Sequence, residues 1–401
     1  MLYMKLTRDE IILLCASGIY ACAITIANVF SNVYLFKYCN SLNIMALFTI
    51  CKCLFMFIAF YVFTKYELDT IKSMKIGVGF LIITFCIILY IHSIFKYVSF
   101  LLLVGCLWGF GEGGFYLSMN TLNQLGTRKQ VRMKFVGYNG AINAFVAVLA
   151  PLLASLSIVL MKNDIKGYLL SFQLVIILFI LLILVLRYIK IENNHHKKQD
   201  MSKIFKKSLK EKRWRFIITI NYFQGFRESL SLCITGLLVF ESMKSDSTLY
   251  AGILSSFSFV AILSNIVLSK WMNTYKRDLL FLIGNIGIFF SGMVLVWNPS
   301  FVHALLHGVS HNLFVPFISM PIMFYSMNVL QESIKQQEFT VRLVIREFFL
   351  EAGRITGLLA YFILNIVFDH QNVISFLFIY ISSMVLYFYT KRRKNIQLTC
   401  Q

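Results

Sequence analysis

Charge is what this sequence has least of. Asp, Glu, Lys and Arg make up 14% of its 401 residues, whereas apolar residues make up 58%. A soluble domain carries roughly 25% charged residues, because charged side chains solvate its surface. The composition therefore excludes a large soluble globule and indicates a protein whose surface is covered mainly by lipid.

Long polar segments are scarce too, and apolar runs recur along the whole chain. One helical crossing of a hydrocarbon core about 30 Å thick needs about 20 apolar residues, and a helix satisfies its own backbone hydrogen bonds there. The sequence therefore predicts an all-α polytopic membrane protein with twelve transmembrane helices. These are expected near 11–33, 43–64, 76–91, 97–119, 135–161, 168–187, 214–240, 248–269, 279–297, 300–328, 343–367 and 372–390.

One polar, lysine-rich segment interrupts the pattern at 191–213 and separates an N-terminal half, 1–190, from a C-terminal half, 214–401. We interpret it as a basic cytoplasmic linker with an amphipathic helix at the membrane surface. The halves resemble each other, since Leu35-Phe36-Lys37 and Val239-Phe240-Glu241 lead into similar helices at an offset of 204 residues. Duplicated six-helix units are typical of secondary transporters.

The basic residues are unevenly shared between alternate loops. With a cytoplasmic N-terminus, about 29 of the 38 Lys and Arg residues face inwards. Basic residues collect in cytoplasmic loops of membrane proteins. This predicts a plasma-membrane protein with an uncleaved first helix and both termini in the cytoplasm. The loops that would face outwards hold Lys37, Lys96, Lys162, Lys166 and Lys244.

Several chemical signatures are missing. The nine cysteines form no Cys-x-x-Cys pair and lie mostly in apolar runs, so neither disulfides nor a metal site are expected. No Gly-x-x-x-x-Gly-Lys-Ser/Thr loop is present, so ATP is not expected to drive the protein directly. The basic residues lie in loops without interleaved aromatics, which argues against nucleic-acid binding despite a formal charge of +20. We predict no cofactor and no metal.

The candidate functional residues are the ionisable ones inside apolar runs. A charge at the bilayer centre costs at least about 2.5–3.5 kcal/mol, so such residues face the bundle interior and usually mark function. Structural ion pairs between helices are the alternative. The candidates for substrate binding and proton coupling are Glu112, Arg227, Glu228, Glu347, Glu351 and Arg354. The candidates for lining a cavity are Lys52, His303, His307 and His311.

Spacing suggests how some candidates interact. Glu347, Glu351 and Arg354 lie on one face of the predicted eleventh helix, where a carboxylate poised between like and opposite charges can carry a proton. Arg227 and Glu228 are adjacent and should point in different directions, so we expect each to pair with another helix. Glu112 lies within the glycine series Gly105, Gly109 and Gly113, which favours close helix contact.

The three histidines follow one another at i, i+4 and i+8 on the predicted tenth helix. The first and third are too far apart to share one zinc ion. A proton wire and a simple polar lining of an aqueous cavity both remain open.

These charges lie on predicted helices two, four, seven, ten and eleven, and this distribution resembles the major facilitator superfamily. In that fold helices 1, 4, 7 and 10 line the cavity and 2, 5, 8 and 11 flank it. Two segments resemble a Gram-positive, exporter-like branch: Gly225-Phe226-Arg227-Glu228, and Arg346-Glu347-Phe348-Phe349 continuing to Gly353-Arg354.

The sequence departs from the family at two motifs. The loop after the second helix keeps mixed charges at 65–75 but lacks the family's glycines. The antiporter motif of the fifth helix is absent, although Gly137 and Gly140 precede Pro151 and are expected to retain its close packing.

The resemblance implies a monomeric secondary transporter that works by alternating access on a small-molecule substrate in the lipid bilayer. A proton is the expected coupling ion, and sodium is the alternative. Cations and anions within an apolar lining favour export of an amphipathic compound. Ion-coupled nutrient uptake is the alternative within this fold. A membrane-embedded transferase using the histidines with Glu112, and a non-transporting receptor or immunity protein, are alternatives of other classes.

Overall fold

The computed structural model describes residues 6–90, 97–127, 131–189, 200–244, 246–271, 277–297, 300–335, 338–368 and 372–392. Within these ranges all regular structure is helical. The α-helices are α1 (Arg8–Cys39), α2 (Leu42–Lys65), α3 (Thr70–Tyr90), α4 (Val98–Thr121), α5 (Arg132–Met161), α6 (Asp164–Val185), α7 (Met201–Lys210), α8 (Lys212–Glu228), α9 (Ile234–Ser242), α10 (Ser247–Trp271), α11 (Arg277–Trp297), α12 (Phe301–Lys335), α13 (Phe339–Val367) and α14 (Asn372–Arg392).

These helices form two compact units. The first comprises Met1–His195 with Asp246–Ser255, and the second comprises His196–Ser245 with Ser256–Gln401. Helices α1 to α6 therefore belong to the first unit, and α7 to α9 and α11 to α14 to the second. Part of the linker predicted at 191–213 lies outside the described residues, and the domain boundaries drawn from the sequence stay a prediction.

Twelve membrane spans can be traced through the described helices. Nine helices, α1 to α6, α10, α12 and α13, are long and apolar enough to cross a membrane. Helices α11 and α14 contain shorter apolar stretches, Leu279–Leu295 and Ile374–Leu386. The remaining span, the seventh along the chain, consists of α8 and α9. It is discontinuous because a 3-10 turn at Ser229–Leu232 separates the two helices. The twelve-helix prediction is confirmed, but the seventh helix is not continuous over 214–240.

Glu228 is the last residue of α8. The Ser229 hydroxyl then donates a hydrogen bond to the Phe226 carbonyl at 2.8 Å, and a 3-10 turn follows over Ser229–Leu232. Cys233 leaves helical geometry, with φ −149° and ψ −55°, before α9 begins.

Two tight turns fix antiparallel neighbours in the first unit. Asn40 after α1 and Lys162 after α5 both adopt left-handed conformations, with φ of 44° and 50°. The next residue, Ser41 or Asn163, caps the following helix by accepting from a backbone N–H. A left-handed residue ends one helix and a polar side chain starts the next, so α2 and α6 each fold back on their predecessor.

Helices α2 and α4 approach until backbone meets backbone, as the glycine series predicts. A Cβ added to Gly109 would lie 1.9 Å from the Lys52 carbonyl oxygen. One turn before it, a Cβ on Gly105 would lie 2.8 Å from the Phe48 carbonyl oxygen. One turn after it, a Cβ on Gly113 would lie 2.4 Å from the Met56 carbonyl oxygen. Only glycine permits this contact, because any side chain would separate the helices.

The close packing expected at Gly137 and Gly140 is wrong. A Cβ at either position would meet no atom within 4 Å. Both residues are exposed on α5, so their small size is not used for helix contact here.

The second unit contains an equivalent close pair, α8 with α13. A Cβ at Gly225 would lie 2.0 Å from the Leu350 carbonyl oxygen, and a Cβ at Gly353 would lie 2.1 Å from that of Tyr222. The charged residues of these two helices are consequently held at side-chain distance from each other.

Helix α7 is the amphipathic helix proposed for the linker. Asp200 caps it by accepting from the Lys203 N–H at 3.1 Å. Its apolar face packs through Ile204 against α8 and α13, in a cluster with Ile218, Val341 and Ile345. The helix is thus docked on the second unit.

An ion-pair network reinforces this docking. The Arg342 side chain is 2% exposed and donates to both Glu211 oxygens, at 2.8 Å and 2.9 Å. Arg342 also donates to Glu338 at 2.8 Å and lies 4.8 Å over the Trp214 ring. Lys207 of α7 reaches Glu338 at 2.7 Å. Bidentate arginine pairs of this kind are strong and geometrically specific.

We expect Gly109→Ala to destabilise the protein by at least about 2 kcal/mol, since a methyl group there must force α2 and α4 apart. The midpoint of thermal unfolding of the purified protein measures this. Gly79→Ala on α3 is the matched control, because a Cβ there meets nothing within 4 Å. Equal midpoints for the two variants would show that the backbone contact is unimportant.

The docking of α7 should depend on pH through Glu338. Burial on its own would raise the pKa of Glu338, but hydrogen bonds from Lys207 and Arg342 outweigh burial and hold this pKa below its ordinary value. A carboxylate with a lowered folded-state pKa stabilises the fold at neutral pH and stops doing so as pH falls through that lowered value.

Glu338→Gln should therefore accelerate amide hydrogen exchange in Met201–Lys210 at pH 7. In the wild type, the α7 amides should lose this protection from hydrogen exchange only when the pH falls below the ordinary pKa of a glutamate carboxyl. Exchange rates are first corrected for the effect of pH on the intrinsic rate. Glu332→Gln is the control, because the Glu332 side chain is 55% exposed in its pair with Arg213 and such surface pairs contribute little. Unchanged exchange in Glu338→Gln would contradict the role given to this network.

Candidate functional site

The first unit holds a compact cluster made of Lys52 on α2 and of Trp108 and Glu112 on α4. The Lys52 Nζ lies 2.9 Å from Glu112 Oε1. The Trp108 Nε1–H donates to the same oxygen at 2.8 Å. The Lys52 Nζ also lies 4.4 Å from the centre of the Trp108 ring. One carboxylate, one ammonium and one indole thus all contact each other.

The packing around this cluster fixes two of its three members. Phe48 and Phe85 pack edge-on against the Trp108 ring, with centroids 6.2 Å and 5.0 Å away. Gly109 brings the α4 backbone against the backbone of Lys52 itself. The Glu112 side chain is 7% exposed, whereas that of Lys52 is 20% exposed. Lysine is the more accessible partner.

The second unit holds a larger cluster around Glu228, the last residue of α8. Its Oε1 accepts from the Gln224 amide at 2.9 Å and from Arg227 at 3.2 Å. Its Oε2 accepts from Arg354 of α13 at 3.3 Å. Glu228 therefore connects the two helices that the glycines hold together.

Arg354 is shared between two carboxylates. Besides Glu228, it donates to Glu351 Oε1 at 2.5 Å, the i, i+3 contact expected from the sequence. The Glu351 side chain is 1% exposed and that of Glu228 is 22% exposed. The structure thus brings four predicted site residues together, namely Arg227, Glu228, Glu351 and Arg354.

Glu347 lies one turn before Glu351 but pairs with its own neighbour. Its Oε2 accepts from Arg346 at 3.2 Å. The two carboxylates on this face of α13 are each matched by a guanidinium, Arg346 for Glu347 and Arg354 for Glu351.

The expectation that Arg227 and Glu228 avoid each other is wrong. Their side chains form an ion pair at 3.2 Å, although Glu228 also reaches another helix as expected. Both side chains are long enough for the guanidinium of Arg227 to reach the carboxylate of the next residue, so different starting directions on the helix did not keep them apart.

The histidines do not form one uniform stripe. His307 is buried against α11, where its Nδ1 lies 2.9 Å from the Ser291 carbonyl oxygen and 3.1 Å from the Ser291 hydroxyl. The His303 Nδ1 lies 2.7 Å from the Ser300 hydroxyl. The His311 ring lies 5.3 Å from the ring of His307. Their role as cavity-lining residues stays a prediction.

Sequence reasoning missed Trp108 and Gln224. Each lies one helical turn before a candidate carboxylate, Glu112 or Glu228, and donates a hydrogen bond to it. Inspection of the i−4 positions of buried carboxylates would have found both. Among the described residues, no group of three or more His, Cys, Asp or Glu side chains is placed to hold a metal ion.

The charge of each buried carboxylate is tied to a neighbouring cation. Lys52, Arg227, Arg346 and Arg354 each lie within 3.3 Å of a carboxylate oxygen. Protonating one of these carboxylates leaves a buried cation without full compensation, which is strongly unfavourable until the cation finds another partner. Proton binding and rearrangement of ion pairs are therefore linked.

Comparison with known proteins gives a family match and a fold match. The profile described as Major Facilitator Superfamily matches residues 13–339. The crystal structure of a point mutant of the nucleoside transporter NupG has a TM-score of 0.71 at 13% identity and covers 96% of this chain and 99% of that one. A point mutant of the Escherichia coli fucose:proton symporter FucP has a TM-score of 0.64 at 13% identity, with coverage of 96% and 99%. At such identities the likeness shows the fold alone.

Two uncharacterised bacterial proteins are similar in sequence. YqgE of Bacillus subtilis (strain 168) is 25% identical over 362 residues, which is 89% of this chain and 83% of that protein. A protein encoded in the sodM 3′ region of Geobacillus stearothermophilus is 28% identical over 166 residues, which is 41% of this chain and 76% of that protein.

We expect Arg354→Gln to destabilise the protein by roughly 3–5 kcal/mol, because it leaves the buried Glu351 carboxylate without this guanidinium. The double variant Glu351→Gln/Arg354→Gln should recover most of the loss, while Glu228 keeps Arg227. Thermal unfolding of the purified variants measures both effects. Arg213→Gln, at an exposed pair, is the control. A double variant no more stable than Arg354→Gln would rule out the proposed pairing.

Proposed function

The chain belongs to the major facilitator superfamily, and from this premise we propose a secondary active transporter in which protons drive the export of a small amphipathic compound by alternating access. The superfamily and its solved neighbours are transporters, so this membrane protein is a transporter and not an enzyme. The cell membrane as its location, cytoplasmic termini and a monomeric state belong to the same proposal.

The observation that carries proton coupling is the sharing of Arg354 between Glu228 of α8 and Glu351 of α13. When Glu351 binds a proton, Arg354 loses one anionic partner and keeps Glu228. In a low dielectric this change in charge favours a different arrangement of α13 against α8. A coupling site requires such a link between proton occupancy and conformation.

We assign the proton to Glu351 because its charge decides whether Arg354 pairs with two carboxylates or with Glu228 alone. Glu228, which accepts hydrogen bonds from Gln224, Arg227 and Arg354, is the fixed partner. Glu112, paired with Lys52, is the corresponding candidate in the first unit.

Uptake is the second candidate direction. The solved neighbours include a nucleoside transporter and a fucose:proton symporter, and the latter's name describes solute and proton moving together. Export remains our proposal because cations, anions and apolar side chains are mixed around the buried clusters. A transport assay separates the two directions by the sign of the coupled proton movement.

The test is proton flux in proteoliposomes with an imposed pH gradient. A panel of amphiphiles, nucleosides and sugars is added to the wild type, Glu351→Gln, Glu228→Gln and the surface control Glu332→Gln, and an internal pH dye reports proton movement. The wild type and Glu332→Gln should show compound-dependent flux. Glu351→Gln should lose proton flux and retain exchange of labelled compound.

Full proton flux in Glu351→Gln would refute its role as the carrier. Coupling to an imposed sodium gradient instead would refute the proton. If folded wild-type protein moved no compound under either gradient, a receptor or immunity role would replace the transporter proposal.

A further inference from the structure

We propose that Trp108 and Glu112 form the binding site for a cationic group on the transported compound, and that Lys52 occupies this site in its absence as a tethered stand-in. The inference rests on the proposed transport of an amphiphile and names its chemical class, an organic cation with an apolar body.

The geometry around the Lys52 ammonium is that of a cation-binding site. The Lys52 Nζ lies 2.9 Å from Glu112 Oε1 and 4.4 Å from the centre of the Trp108 ring. A carboxylate combined with an indole face is the arrangement that recognises ammonium ligands, and tryptophan is the strongest aromatic partner for a cation. The Trp108 N–H orients the carboxylate by donating to that same oxygen.

Lys52 is the member of the cluster that can leave. Its side chain is 20% exposed and stands on a flexible stem, so its ammonium can move away from the carboxylate. Glu112 is 7% exposed and hydrogen-bonded to Trp108, whose ring Phe48 and Phe85 hold in place. The carboxylate and the indole form the rigid part, and the ammonium is the exchangeable part.

Charge balance selects a cation over an anion. A ligand ammonium that replaces the Lys52 ammonium keeps the buried carboxylate compensated and leaves the net charge of the site unchanged. An anion would have to displace Glu112 from Lys52, which would leave that buried carboxylate without its cation and is strongly unfavourable. The site as built therefore favours exchange of one cation for another.

Tyr116 beside the carboxylate supplies an aromatic surface for the apolar body, and the buried Tyr20 and Phe115 pack behind it. Phe115 and Tyr116 follow Glu112 on α4, and Tyr20 of α1 stacks on Phe115 with ring centroids 3.4 Å apart. Tyr20 also meets Tyr116 edge-on at 5.4 Å. Tyr116 is half-buried, so part of this aromatic group is accessible beside the cluster.

The test is equilibrium binding of 4-phenylbutylammonium to the purified full-length chain in detergent, by isothermal titration calorimetry. This probe carries its ammonium on a four-carbon stem as lysine does. The anion 4-phenylbutyrate and the neutral 4-phenylbutanol are matched controls. We expect saturable binding of the cation, weak binding of the alcohol and none of the anion.

The variants assign the binding to the cluster. Glu112→Gln should abolish binding of the cation. Trp108→Leu should weaken it roughly tenfold, and Trp108→Phe, which keeps an aromatic face, should weaken it less. Lys52→Met should strengthen binding several-fold because the tethered competitor is gone. Because Lys52→Met leaves the Glu112 carboxylate uncompensated, its midpoint of thermal unfolding without ligand should be lower than that of the wild type. Adding the cation should raise the midpoint of Lys52→Met more than it raises that of the wild type.

Weaker cation binding in Lys52→Met, shown to be folded by size-exclusion chromatography, would overturn the proposal. Binding of the anion in place of the cation would also overturn it. So would a third outcome, in which neither folded wild type nor folded Lys52→Met binds any probe. The last would identify the cluster as a structural ion pair. The surface control Glu332→Gln should bind the cation like the wild type. Because no gradient is involved, intact binding without transport would count against the proposed function alone.

Discussion

Pairing of opposite buried charges organises both units in the described part of the chain. Lys52 of α2 pairs with Glu112 of α4, and Arg354 of α13 pairs with Glu228 of α8 and with Glu351 on its own helix. Removing one member of such a pair costs more than the pair itself contributes, because the remaining charge stays in a low dielectric. The helices that carry these charges must therefore pack with an accuracy that apolar contacts alone do not require.

Glycine provides that accuracy. Gly109 sets α4 against the backbone of Lys52, and Gly225 and Gly353 set α8 against α13. With the backbones in contact, side chains of ordinary length reach across the interface and meet at hydrogen-bonding distance. The glycines thus fix the helix spacing that the ion pairs need. These ion pairs can have two discrete arrangements, since loss of a charge changes which partner a guanidinium keeps.

Helix α13 also connects the ion pairs of Glu228, Glu351 and Arg354 to the docked helix α7. Arg342 near its start pairs with Glu211 and Glu338, and Glu351 and Arg354 lie further along it. A shift of α13 that follows proton binding would move Arg342 and so change its ion pairs with Glu211 and Glu338, which hold α7 in place. In the first unit the Lys52 ammonium of α2 lies over the Trp108 ring and beside the Glu112 carboxylate, both on α4.

The sequence by itself determined the fold class and most of the candidate residues, because hydropathy fixes the spans and an ionisable residue inside a span is conspicuous. It also predicted that the glycine face of α4 makes a close helix contact, and the structure identified α2 as the partner. Only the tertiary structure decided the partners. Lys52 of α2 meets Glu112 of α4, Arg354 of α13 meets Glu228 of α8, and His307 of α12 bonds to Ser291 of α11. Partners depend on how helices rotate and approach, and many side chains make that choice together, so no local spacing encodes it.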